Sequence, residues 1–299
     1  LPENRNKCYN GGLTEGVFKV FAKQYELLSF RWAAKRKSFL FHELFYNSVT
    51  LRRYDKMGVE KVPKYDIPVK KVEYVFIELD KMKPHEQLVQ KELEAFIESV
   101  TGSGIFWKPM LLAKVPGEDM YLIVDGHHRW AGLEKLGAKR APSVILDYFS
   151  DDVKVYTWYP AFKGDLNKVL ERLKAEGLEI IEDEEAEEKA EKGEIAFALV
   201  GKEKNFAIPG ALDEQKKVSK VLDEMSVEGE IELIYYGLKE DAREDMEKGE
   251  IDYVFIRKAP SKEEVMELVK RGEVYSPKTT RHVLPFIPDK IDVKLEDLF

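Results

Sequence analysis

Met120-Tyr121-Leu122-Ile123-Val124-Asp125-Gly126-His127-His128-Arg129-Trp130 is the stretch that decides the fold of this 299-residue chain. Its first five residues are an apolar run of strand length. Trp130, Leu133 and Leu136 then recur at helical spacing as far as Gly137, which suits a C-cap. Asp125 to Arg129 is therefore a strand-to-helix turn. Free amides at a helix N-terminus favour an anion, and Gly126 lets a ligand approach the backbone closely. Arg129 adds a fork-shaped cation, His127 and His128 donate or shuttle protons, and Asp125 suits a metal or a hydroxyl. As packing alone the turn would be a polar surface cap, a role that does not call for two adjacent histidines between Asp and Arg.

Outward from the turn, the chain alternates strands and helices. Upstream, 72–79 reads as a strand, Pro84 suits a helix first turn, and Val89, Leu93, Phe96, Ile97 and Val100 form a stripe ending near Gly102 and Gly104. The runs 109–115 and 120–124 pair across Pro116-Gly117-Glu118-Asp119, and 143–148 makes another strand. Downstream come strands at 153–159, 178–181, 195–200, 231–236 and 251–256, with helices at 165–176, 212–225, 240–247 and 262–271. The run 182–194 is almost wholly charged, a solvated helix or loop without assigned chemistry. No repeat at solenoid spacing occurs. The pattern predicts a mixed α/β protein with a first core over 57–150 and a second α/β lobe over 151–299.

Composition narrows the function. Charged residues make up 35% of the chain, Lys and Glu dominate, and glutamine is scarce, a balance typical of hyperthermophilic proteins. The single cysteine, Cys8, rules out an intramolecular disulfide and a thiolate metal cluster within one chain. No apolar run is long enough to span a membrane and no signal-like leader opens the chain, so a cytoplasmic protein is expected. Residues 1–56 are basic while the whole chain carries −8, so the rest is strongly acidic. Such a body is poorly suited to non-specific nucleic-acid binding, which neutralises phosphates with Lys and Arg. All seven methionines lie at or after Met57. Residues 1–56 are accordingly read as a basic leader outside the native fold; the alternative is a basic arm that touches nucleic acid or a membrane surface.

The turn in its strand-helix setting resembles the ParB/sulfiredoxin superfamily, whose members hold nucleotide phosphates with a Gly-x-His-Arg-like or Gly-Glu-Arg-Arg-like turn. Within it, the chain from about Met57 onward resembles the ADP-dependent free-serine kinases of hyperthermophilic archaea. The resemblance implies transfer of a phosphoryl group from ADP to the hydroxyl of free L-serine, giving O-phosphoserine and AMP, with Mg²⁺ as cofactor. It implies Glu86, in His85-Glu86-Gln87, as the base; the residues alone allow equally an acid that complements a helix dipole. It implies that Gly126, His127, His128 and Arg129 cradle the phosphates and that Asp125 assists the hydroxyl or the Mg²⁺. Sulfiredoxins carry a reactive cysteine in this turn. Here a histidine stands there, which excludes sulfur repair.

A third cluster, Ser276-Pro277-Lys278-Thr279-Thr280-Arg281-His282, gathers cations, hydroxyls and an imidazole suited to phosphate or carboxylate capture. Four of the five histidines fall in the three clusters, as one site built from both lobes would require. Lesser candidates are Lys108 for the nucleotide, Ser99 in a Ser/Thr/Gly-rich loop for the substrate, and Trp158 as a site wall. There is no Gly-x-x-x-x-Gly-Lys-Ser/Thr loop and no Asp-Phe-Gly segment, so the two commonest kinase folds are excluded. The rival function is a ParB-like nucleotide-dependent DNA-binding or partition protein, which predicts a helix-turn-helix after the core and a basic face.

Overall fold

The computed structural model describes residues 59–299. The expected leader, 1–56, and the boundary at Met57 lie outside the described residues. Two sheets organise the rest, and the mixed α/β class expected from the sequence is what they form.

The first sheet has five strands in the order Val75–Glu78, Arg140–Leu146, Met110–Lys114, Tyr121–Asp125, Met82–Lys83. The central pairings are parallel between 110–114 and 140–146 and antiparallel between 110–114 and 121–125, across the expected turn. Alternation sends the side chains to two cores. Met110, Leu112, Ile123 and Ala141 meet Val100 and Leu133 from the helices Gln90–Ser103 and His127–Leu136. Leu111, Leu122, Val124 and Val144 face the other way, onto Val265, Met266 and Leu268 of the helix Lys262–Lys270. A helix late in the chain thus completes the core of the first lobe.

The second sheet has seven strands, in the order Val59–Lys61, Ile231–Tyr236, Tyr159–Gly164, Tyr253–Ile256, Phe197–Gly201, Asn205–Ile208, Ile181–Glu182. Its two faces differ in residue size. Phe162, Leu199 and Phe255 lie under the helices Leu166–Ala175 and Leu212–Glu228. Ala161, Ala198 and Val254, their neighbours in sequence, face the helices Ala186–Lys192 and Lys239–Lys248. The small face lets a largely charged helix approach through Ala186 and Ala190 alone, which is why the run 182–194 is helical without an apolar stripe. Among the described residues no helix-turn-helix follows the first core; the region is this mainly antiparallel sheet and its helices. The C-terminal stretch then returns to the first lobe, where Val293–Lys294 pairs with Ile105–Phe106 and Leu298 is fully buried.

Three expected elements differ, the strand expected at 178–181 being reduced to Ile181–Glu182. The helix after Pro84 begins at Gln90, because the backbone before it is tied elsewhere: Gln87 donates to the Tyr275 carbonyl and Tyr275 to that of His85. The expected strand 153–159 is two strands, 154–156 and 159–164, broken at Thr157-Trp158. There the buried Thr157 hydroxyl donates to the Thr279 carbonyl.

Candidate active site

The strand Tyr121–Asp125 ends on Asp125, and Gly126 turns the chain into the next helix at φ +119°, a region L side chains rarely adopt. A Cβ there would lie 2.8 Å from Arg129 Nη2 and from Met110 Cε, so the arginine folds back against the turn. Among the described residues no side chain caps this helix, which leaves its first amides open to an anion. Asp125 Oδ2 meets Lys108 Nζ at 2.9 Å and Arg129 Nη2 at 3.1 Å. Burial works against the charge of Asp125, but the two cations outweigh it and hold the carboxyl well below the usual carboxylate range. Both cation contacts fall on Oδ2.

Glu86 enters from the extended segment before the helix Gln90–Ser103. Its Oε1 accepts the Thr280 backbone N–H at 2.5 Å and contacts Thr280 Oγ1 at 2.6 Å. The tie spans 194 residues and brings the first and third sequence clusters together. Beside it His85, 1% exposed, donates from Nδ1 to the Ile123 carbonyl at 2.8 Å, and its Nε2 lies 2.8 Å from the same Thr280 Oγ1. The His127 and His282 rings pack edge-on against it. Burial holds all three imidazoles below their ordinary value; for His127 and His282 repulsion from His85 adds to it and takes them well below, while for His85 the Glu86 charge opposes burial without outweighing it. They are a neutral cluster at neutral pH.

The segment 276–280 is held from behind by Arg257, which is 2% exposed. It donates to Thr157 Oγ1 at 3.0 Å, Thr279 Oγ1 at 3.1 Å and the Lys278 carbonyl. Burial pulls its guanidinium down to about 10, still charged at neutral pH. Lys278 takes a positive φ of 57°, pairs with Glu60 and lies 5.5 Å from the Trp158 ring centre.

The parts meet at a cleft of about 310 Å³ lined by Glu86, Lys108, Asp125, His127, Trp158, Thr280, Arg281 and His282, with an apolar wall from Leu284, Phe286 and Ile287. Eight of the expected residues therefore share one site. Gly126 and Arg129 stand behind Asp125. Arg281 is turned into a box of Tyr65, Tyr156 and Trp158 rings and donates to the Gly237 carbonyl at 2.8 Å. Lys278 and Thr279 are not part of the cleft wall, nor is His128, which accepts the Val89 N–H at 3.0 Å and contacts Glu92 at 3.1 Å. Ser99 lies in the last turns of the helix Gln90–Ser103, where a loop was expected, and is also off the cleft wall.

Known proteins match this arrangement closely. Residues 58–157 match the ParB N-terminal domain, and residues 157–257 match the L-serine kinase SerK, C-terminal domain. The ADP-dependent L-serine kinase SerK of Thermococcus kodakarensis is 93% identical over 243 residues, 81% of this chain and 100% of the relative. The chain belongs to the L-serine kinase family. Another member, the ATP-dependent L-serine kinase of Staphylothermus marinus, is 47% identical over 80% of this chain and 96% of its own length. A solved free serine kinase in complex with AMP superposes with a TM-score of 0.79 at 92% identity, covering 81% of this chain and all of its own.

For a kinase of this family, sequence reasoning missed Arg257, Thr157 and the apolar wall. The signal for Arg257 was present. Tyr253-Val254-Phe255-Ile256 is a buried strand, and a cation directly after it needs an acceptor. The wall was hidden because Leu284, Phe286 and Ile287, set around Pro285 and Pro288, carry neither a helix nor a strand period.

Proposed function

We propose that this chain transfers the β-phosphoryl group of ADP to the hydroxyl of free L-serine, giving O-phosphoserine and AMP, and that it does so in the cytoplasm. The observation that carries the reading is the Glu86 carboxylate, fixed by Thr280 on one oxygen and presented to the cleft that Asp125 and Lys108 also line. Phosphoryl transfer asks a protein for positioning, charge stabilisation and a group that orients the nucleophile. Glu86 takes the serine proton. The open amides of the helix His127–Leu136, with Arg129 and Lys108, hold the phosphates, and the apolar wall receives the base of the nucleotide.

Mg²⁺ fits one place. The ion would be carried mainly by nucleotide phosphates, with oxygen ligands as Mg²⁺ prefers. Asp125 would hold it through Oδ1, since its lysine and arginine contacts both fall on Oδ2. The ion would neutralise charge on the transferred group.

ADP is the preferred donor on the weight of the relatives: the 93% identical kinase is named for ADP, the 47% identical one for ATP. Three solved relatives carry alanine or glutamine at a single glutamate. Those substitutions support a glutamate as an acting residue in this family, the role proposed here for Glu86.

The test is Glu86→Gln, assayed with Mg²⁺, serine and each of ADP and ATP. Turnover should fall by about 10² to 10⁴, the usual contribution of a positioned base, while calorimetry still detects nucleotide binding. Turnover near wild type would remove Glu86 from the chemistry.

A further inference from the structure

One hydrogen in this site has two claimants. Thr280 Oγ1 lies 2.6 Å from Glu86 Oε1 and 2.8 Å from His85 Nε2, and a hydroxyl has a single proton to give. Nor does His85 have a second proton to offer. Its Nδ1 must carry the hydrogen, because it faces two acceptors, the Ile123 carbonyl at 2.8 Å and, at 3.1 Å, His127 Nε2, which accepts the His85 backbone N–H; burial keeps the ring neutral, so Nε2 is an acceptor only. While Glu86 is a carboxylate, charge draws the Thr280 hydrogen to Oε1. The buried Nε2 of His85 is then left facing an oxygen lone pair.

We infer that Thr280 and His85 form a hydroxyl switch that favours the base in its proton-bearing state: the Thr280 O–H serves Glu86 before phosphoryl transfer and turns to His85 Nε2 once Glu86 has taken the proton. The inference rests on Glu86 being the base. In the step itself the serine O–H bond breaks and its oxygen bonds to the β-phosphorus. The bridging P–O bond breaks with its electron pair left on AMP, and the serine proton passes to Oε2 of Glu86, which carries no hydrogen bond among the described residues. Neutralised, Oε1 becomes a weaker acceptor and keeps only the Thr280 backbone N–H. The hydroxyl is released to His85, whose orphaned nitrogen gains its partner. An interaction unmade in the resting site and made as the proton moves lowers the barrier without tightening substrate binding. His85 acts here as a positioning residue; it need not touch serine or nucleotide.

The test uses the full chain. Thr280→Val removes the hydroxyl and keeps the backbone N–H that holds Glu86, and Thr280→Ser restores the hydroxyl. His85→Asn keeps a donor for Ile123 and removes the Nε2 acceptor. In single turnover with ADP and serine, Thr280→Val and His85→Asn should each slow transfer about ten- to a hundredfold, the worth of one buried polar group left unpaired, with KM for serine little changed. Thr280→Ser should recover the wild-type rate. The spectroscopic arm uses ¹⁵N-histidine NMR, with the His85 signals assigned by their loss in His85→Asn. Glu86→Gln, a neutral mimic of the protonated base, should move the Nε2 resonance in the direction of hydrogen-bond acceptance, and adding Thr280→Val should abolish that movement. A Nε2 resonance indifferent to Glu86→Gln, or wild-type transfer in Thr280→Val, overturns the switch. Full turnover in Glu86→Gln overturns the base assignment itself, so the two failures are distinct.

Discussion

Arg257 separates stability from catalysis in this protein, and Arg257→Met should lower turnover far more than it lowers the melting temperature. The guanidinium is 2% exposed, and its hydrogen-bond partners among the described residues are all neutral: Thr157 Oγ1, Thr279 Oγ1 and the Lys278 carbonyl. Removing it leaves the Lys278 carbonyl without that donor, at about 1–3 kcal/mol. The two threonines lose less, since Thr157 still donates to the Thr279 carbonyl and Thr279 to that of Ser276. Against this, a buried cation no longer has to be desolvated, a relief of several kcal/mol in order of magnitude, and methionine refills part of the space. The opposing terms leave a net change within about 2 kcal/mol, or roughly 4–8 °C in Tm for a protein of this size. Catalysis has no such compensation. Arg257 fixes the 278–280 backbone, Thr280 in that segment fixes Glu86, and a misplacement of about 1 Å at the reacting group costs about 10² in rate. The assay is kcat with saturating ADP and serine beside differential scanning calorimetry. Wild-type kcat, or loss of the folded state, would refute the argument.

Three further outcomes are expected. Gly126→Ala places a Cβ 2.8 Å from Arg129 Nη2 in a strained φ, so ADP affinity by calorimetry should fall at least tenfold and stability by about 1–3 kcal/mol; unchanged affinity would clear the turn of phosphate binding. Stability should decline as pH falls below about 6.5, because the unfolded chain then protonates histidines that the folded site keeps neutral; His85, His127 and His282 each contribute up to about 1.4 kcal/mol per pH unit, read from urea midpoints. A chain starting at Met57 should keep its turnover and melting temperature, since the 93% identical kinase is matched over its whole length by 243 residues; a large loss of either would show that residues 1–56 belong to the fold.

The sequence by itself determined what is local. The turn at 125–129, its strand and helix, the hairpin 110–125 and the helices expected at 165–176, 212–225, 240–247 and 262–271 follow from apolar period and glycine placement, and the structure contains them. The chemistry of the three clusters was also legible, since cations, imidazoles and carboxylates without a packing role stand out in a sequence. Tertiary structure decided which of these groups meet. Glu86 is set by Thr280, 194 residues away, and that contact overrides the helix-start signal of Pro84 by pairing the backbone with Tyr275. His128 reads as a phosphate ligand beside Gly126 but turns to serve Val89 and Glu92, because each helical residue rotates by about 100° and adjacent side chains cannot face one ligand alike. Arg257 and the apolar wall at 284–287 acquire meaning only once the chain's end folds back over the first lobe. Periodicity records which face of an element is buried, and carries no information about what buries it.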